Sequence, residues 1–150
     1  MHWVPARLQV RPVFSGASGE IRVAKRILLL EDDLTLLRLL KGSLQDEGHF
    51  VAETDEAATA LHMIETEEWD LVITDGALKT SRGEDFAAQV RERRAGVPVL
   101  LITGSSRPVS DPSLFQGVLY KPFRRDDFLS FVDAALDRLD ESAAKVNKAA

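Results

Sequence analysis

Apolar and polar positions alternate between two regimes along residues 26–139. Arg26 to Leu30 (RILLL), Asp70 to Thr74 (DLVIT) and Val97 to Ile102 (VPVLLI) are short, nearly continuous apolar runs. Such runs suit strands covered on both faces. Phe50-Val51-Ala52 and Val118-Leu119-Tyr120 predict two shorter strands. Between these runs the period changes to that of a helix. Leu34, Leu37, Leu40 and Leu44 follow the first run, and Gly48 marks a C-cap. Asp55-Glu56 opens a second helix through Ala58, Leu61, Met63, Ile64 and Glu67. Gly83 precedes a third, which carries Phe86, Ala87 and Val90, and Asp126 to Leu139 predicts a last amphipathic helix.

Strands that alternate with helices build βαβ units and a parallel sheet. The expected fold is therefore a doubly wound five-stranded α/β domain over residues 23–139. Pro108 and Pro112 fall in the segment between the last two strands. Proline inside a helix costs about 3 kcal/mol, so the fourth helix is expected to be stunted, one or two turns from Asp111 to Phe115. Residues 1–22 hold two prolines, two glycines and spaced arginines, and read as a disordered extension or an early start. The sharper alternative is a partner-binding arm built on Trp3, Val10, Val13 and Phe14. Residues 140–150 read as a polar, alanine-rich tail.

Composition narrows the chemistry. The 150 residues contain no cysteine, which removes disulfides, thiolate metal sites and cysteine nucleophiles. No apolar run approaches the ~20 residues that span a bilayer, and Arg7 and Arg11 break any signal-peptide core. The net charge is −5. Residues 1–26 hold five basic residues against Glu20 alone, a net of +4, which leaves −9 for the rest. An acidic domain lacks the basic face that nucleic acid requires, so no nucleic-acid or membrane partner is expected.

The carboxylates gather where such folds bind ligands, at the carboxyl ends of the strands. Glu31, Asp32 and Asp33 follow the first strand, Asp75 the third, Thr103 the fourth and Lys121 the fifth. Several carboxylates near one ammonium and one hydroxyl make an oxygen-rich site for a hard dication such as Mg2+. A carboxylate held ionised there is a nucleophile toward phosphorus. Asp33 reads as the N-cap of the first helix rather than a ligand.

In their order and spacing, ILLLEDD, DLVITDG, Gly83, VPVLLITG and YKPF resemble the response-regulator receiver domain of two-component phosphorelays. The resemblance covers about residues 26–139. It implies a flavodoxin-like strand order 2-1-3-4-5, with Asp75 as phosphoacceptor and Thr103 and Lys121 as its catalytic partners. It also implies a Mg2+ site of Glu31, Asp32, Asp75 and the Ala77 backbone carbonyl, and a cis bond before Pro122. The implied donor is a histidine kinase or histidine phosphotransfer protein. The implied output is a downstream protein target in the cytoplasm, reached without an attached output domain.

Several positions depart from the family pattern. Lys79 stands where proline is usual and is expected to point into solvent. Val118 replaces the usual aromatic residue, and Tyr120 is not at that position. Ala77 and Ser105, beside the phosphoryl position, are small. His49 and His62 are read as solvated or core-edge residues, Trp69 as a packing anchor, and Arg91, Arg93, Arg94, Arg124 and Arg125 as solvated. Two rival readings stand beside the phosphoacceptor. One is an interaction module that no longer needs phosphorylation; the other is an aspartate-nucleophile phosphohydrolase.

Overall fold

A computed structural model describes residues 12–15, 20–104 and 108–149, with side chains over 23–104 and 108–142. The elements run β1 (Pro12–Ser15), β2 (Glu20–Val23), β3 (Arg26–Leu30), α1 (Leu34–Asp46), β4 (Phe50–Thr54) and α2 (Ala57–Thr66). They continue with β5 (Leu71–Asp75), α3 (Gly83–Arg93), β6 (Val99–Thr103), a 3₁₀ turn (Pro112–Leu114), β7 (Gly117–Tyr120) and α4 (Arg125–Ala149). Strands β3 to β7 form one sheet, all parallel, in the order β4-β3-β5-β6-β7. Numbered within that sheet, this is the expected order 2-1-3-4-5.

The apolar runs work because successive side chains leave a strand on opposite faces. Ile27 and Leu29 of β3 pack with Leu37, Leu40 and Leu44 of α1 and with Phe128 and Val132 of α4. Leu28 and Leu30 face the other way, into Ala60, Ile64, Phe86 and Val90 of α2 and α3. A strand buried on both sides needs apolar residues at its buried positions, and Ile27 to Leu30 supply them. The Trp69 side chain is 2% exposed, and its indole N–H donates to the Met63 carbonyl at 2.9 Å. It is the anchor that the sequence suggested.

Helix boundaries follow local chemistry. The Asp33 carboxylate accepts from the N–H groups of Thr35 and Leu36, which fixes the start of α1. Gly48 adopts φ 89° after the helix, a conformation that favours glycine. Leu34, read as part of the apolar face, lies in the first turn and is 61% exposed. Among the described residues, the segment after β6 holds a single 3₁₀ turn, started by Asp111, whose carboxylate accepts from Ser113 N–H. The stunted fourth helix is thus real.

Two readings of the chain ends change. Pro12–Ser15 and Glu20–Val23 pair antiparallel, Pro12 opposite Val23 and Ser15 opposite Glu20, where a structureless extension was expected. Residues 1–11 and 16–19, with Trp3 and Val10 of the suggested arm, lie outside the described residues. The last helix runs to Ala149 rather than ending at Leu139. Alanine, glutamate and lysine are strong helix formers, so the alanine-rich stretch extends α4 instead of fraying into a tail. Within the continuation, Lys25 pairs with Asp140 at 2.8 Å.

Candidate functional site

Four strand ends converge on one place because the ladder continues past them. Gly76 N–H donates to the Ile102 carbonyl at 2.9 Å, and Lys121 N–H donates to the Thr103 carbonyl at 2.9 Å. Glu31 N–H donates to the Thr54 carbonyl at 3.2 Å. Asp75, Thr103, Lys121 and Glu31 are therefore fixed by backbone, side by side across the carboxyl edge of the sheet. Lys121-Pro122 is a cis peptide, as the resemblance implied.

The side chains meet as the sequence suggested. Carboxylate oxygens of Glu31, Asp32 and Asp75 lie within 4.8 Å of one another. The Lys121 ammonium donates to Asp75 Oδ2 at 3.0 Å and stands 3.8 Å from Glu31 Oε2. Asp75 Oδ1 accepts from Ala77 N–H at 3.2 Å. Glu31, Asp75 and Thr103 are 3%, 7% and 5% exposed, while Asp32 is half-buried toward the mouth. Burying like charges is costly unless they are offset, and Lys121 is the offset built into the fold. It does not suffice. Burial, with a hydrogen bond to the Asp75 carboxylate and repulsion by its charge, pushes the Glu31 carboxyl up to about 7. The Asp33 N–H, which donates to Glu31 Oε1 at 3.1 Å, and the Lys121 charge pull the other way.

This donor set fits a small hard dication. Clustered carboxylates with an open, half-buried edge suit an ion that keeps part of its water shell. The loop after β5 completes the arrangement. Gly83 N–H donates to the Gly76 carbonyl and Leu78 N–H to the Ser81 carbonyl, on either side of an Ala77–Arg82 bridge. That ladder does not use the Ala77 carbonyl, which leaves it free to serve as an additional oxygen donor. The return of the chain is close. A Cβ on Gly83 would lie 2.4 Å from the Asp75 carbonyl oxygen, and one on Gly76 would lie 2.8 Å from Thr103 Oγ1. Both positions require glycine for these approaches.

A family model for the response regulator receiver domain matches residues 27–133. The chain belongs to the response regulator receiver family. This receiver is 31% identical over 116 residues to the response regulator receiver protein CpdR of Brucella abortus, covering 75% of this chain and 97% of that protein. It is 33% identical over 116 residues to the transcriptional regulatory protein GlrR of Escherichia coli, covering 75% of this chain and 26% of that protein. The chain thus spans about a quarter of the length of GlrR. Among solved structures, the receiver resembles the response regulator TrrA of Thermotoga maritima in complex with Mg2+ and BeF. The TM-score is 0.69 and the identity 27%, over 74% of this chain and 98% of that one.

The departures also have places in the receiver. Lys79 is 63% exposed, as expected, but it is not simply solvated: its ammonium lies 3.6 Å from Asp55 Oδ2. Val118 is partly buried against the α2–α3 side of the core, and Tyr120 is 56% exposed. His49 is buried, and its Nδ1 accepts from Lys25 N–H. Arg93 and Arg94 pair with Glu65 and Glu68, Arg91 donates to the Ser113 carbonyl, and Arg125 pairs with Asp46. These arginines join neighbouring elements rather than coat a free face. Ser105 lies outside the described residues. Asp55 is the residue that the sequence undersold. Its signal was its position directly after β4, at the edge where Glu31 and Asp75 also end.

Among the described residues, no helix is long and apolar enough to cross a membrane.

Proposed function

We propose that this receiver accepts a phosphoryl group on Asp75 from a phosphohistidine of a partner histidine kinase or histidine phosphotransfer protein. A carboxylate oxygen of Asp75 attacks phosphorus, the N–P bond of the donor breaks, and the histidine nitrogen leaves with the electron pair. The product is an aspartyl phosphate. The observation that carries this reading is the Lys121 ammonium, 3.0 Å from Asp75 Oδ2, inside a cluster that also holds Glu31 and Asp32.

Each residue has a task that its position supports. Lys121 pairs with the Asp75 carboxylate and then balances charge on the transferring oxygens. Thr103, fixed beside Lys121 by the backbone bond between them, presents a hydroxyl to the phosphoryl group. Glu31, Asp32, Asp75 and the Ala77 carbonyl would hold Mg2+, whose charge offsets that of the phosphoryl oxygens. The ladder bonds around Gly76 and Gly83 keep Asp75 at the mouth.

The signal then leaves through contact with a downstream protein target, in the cytoplasm and without nucleic-acid contact by this domain. The test is intact mass after incubation with acetyl phosphate and Mg2+. Wild type should gain one phosphoryl group and Asp75→Asn none. No adduct on wild type under any condition favours a phosphorylation-independent interaction module. Rapid turnover of small phosphomonoesters favours a phosphohydrolase.

A further inference from the structure

We propose that Lys79 is a second phosphoryl-binding cation, parked on Asp55 while Asp75 is unmodified; this rests on the phosphoacceptor reading above.

The argument begins with topology. Asp55 follows β4 directly, and Lys79 lies in the loop after β5. In the sheet, β4 and β5 flank β3 on its two sides. The Lys79–Asp55 contact of 3.6 Å therefore passes over the end of β3, where Glu31 and Asp32 stand. Adjacent strands lie about 4.8 Å apart, so the contact joins loops that leave strands roughly two spacings apart. Lys79 is rooted in the loop whose Ala77 N–H donates to Asp75 Oδ1. A lysine stem has four rotatable carbons. Reaching a group on Asp75 requires the ammonium to swing back toward its own strand.

Charge supplies the reason to swing. With Glu31, Asp32 and Asp75 ionised, a divalent cation and Lys121 bring the site to neutrality. A phosphoryl group adds about two negative charges while esterification removes that of Asp75, so the phosphorylated site is left about one negative charge in excess. Lys79 brings an exposed ammonium to the loop that leaves Asp75. Its hold on Asp55 is weak, because solvent screens an exposed ion pair, and Lys79 and Asp55 are 63% and 45% exposed. A weak tether and a stronger anion nearby make an exchangeable contact.

Beryllofluoride, a phosphoryl mimic that binds without turnover, gives the test. Its apparent affinity in saturating Mg2+ is measured by calorimetry for wild type, Lys79→Ala, Lys79→Arg, Asp55→Asn and the double variant Lys79→Ala/Asp55→Asn. Unliganded melting confirms that each exposed variant folds. Lys79→Ala should weaken binding about two- to five-fold, the factor an exposed charge contact gives, and Lys79→Arg should restore most of it. Asp55→Asn should tighten binding by releasing Lys79, and that gain should vanish in the Lys79→Ala background. Unchanged affinity in Lys79→Ala, or an Asp55→Asn effect of equal size with and without Lys79, overturns the inference. Wild type that binds no beryllofluoride sinks the phosphoacceptor reading, and the role of Lys79 with it.

Discussion

Lys121 Nζ stands 3.0 Å from Asp75 Oδ2 and 3.8 Å from Glu31 Oε2, so one ammonium serves two carboxylates from different strands. Without it, a buried acidic pair has no fixed counter-charge. Lys121→Ala is expected to slow phosphorylation by acetyl phosphate about tenfold or more, because a donor is lost where charge develops. Adduct formation followed by intact mass over time measures this. A rate equal to wild type would show that Lys121 only balances the resting cluster.

Glu31 makes the site pH-dependent. Its carboxyl holds a proton up to about pH 7 in the folded protein, against 4.5 ordinarily. Between these values the folded state binds more protons than the unfolded chain, so metal-free stability falls as pH rises from about 4.5 to 7. Glu31→Gln keeps the acceptor for Asp33 N–H and removes the charge. It should stabilise the metal-free protein at pH 8 by on the order of 1–3 kcal/mol, read by denaturant unfolding.

The same proton competes with a cation. Mg2+ affinity, measured by calorimetry, should be about tenfold weaker at pH 6 than at pH 8. An affinity that does not change over this range would mean that the ion displaces no proton from Glu31.

Gly83 tests how closely the loop after β5 must return. A Cβ there would meet the Asp75 carbonyl oxygen at 2.4 Å and Gly76 Cα at 3.0 Å. Backbone atoms cannot rotate aside, so Gly83→Ala should cost about 1–3 kcal/mol as an overpacked site does. It should also slow phosphorylation by displacing Asp75. Unfolding and adduct kinetics on the same variant separate the two effects.

Much of this was legible in the sequence, for identifiable reasons. The buried strands announce themselves because a doubly covered strand tolerates few polar residues, and RILLL and VPVLLI contain almost none. The site was legible because its side chains sit at the last position of a strand, as Asp75 and Thr103 do, or just beyond one, as Glu31 and Lys121 do, where topology alone brings them together. The cap Asp33 and the shortened helix with Pro112 were readable from local chemistry. The pairing of Pro12–Ser15 with Glu20–Val23 was not, since short strands with interrupting prolines and glycines carry no clear period. The continuation of α4 was hidden because alanine and lysine suit both a helix and a tail. The Lys79–Asp55 contact joins two loops across an intervening strand, and no spacing within either loop reveals it.

The central claim is that the phosphoryl group lands on Asp75 and not on its acidic neighbours. After phosphorylation with acetyl phosphate and Mg2+, borohydride reduction converts an aspartyl phosphate to homoserine, and peptide mass mapping locates it. The account predicts homoserine at position 75 in the peptide containing DLVITDG, with Glu31 and Asp32 unmodified. A reduced residue at Asp32 or Glu31, with Asp75 intact, would contradict it.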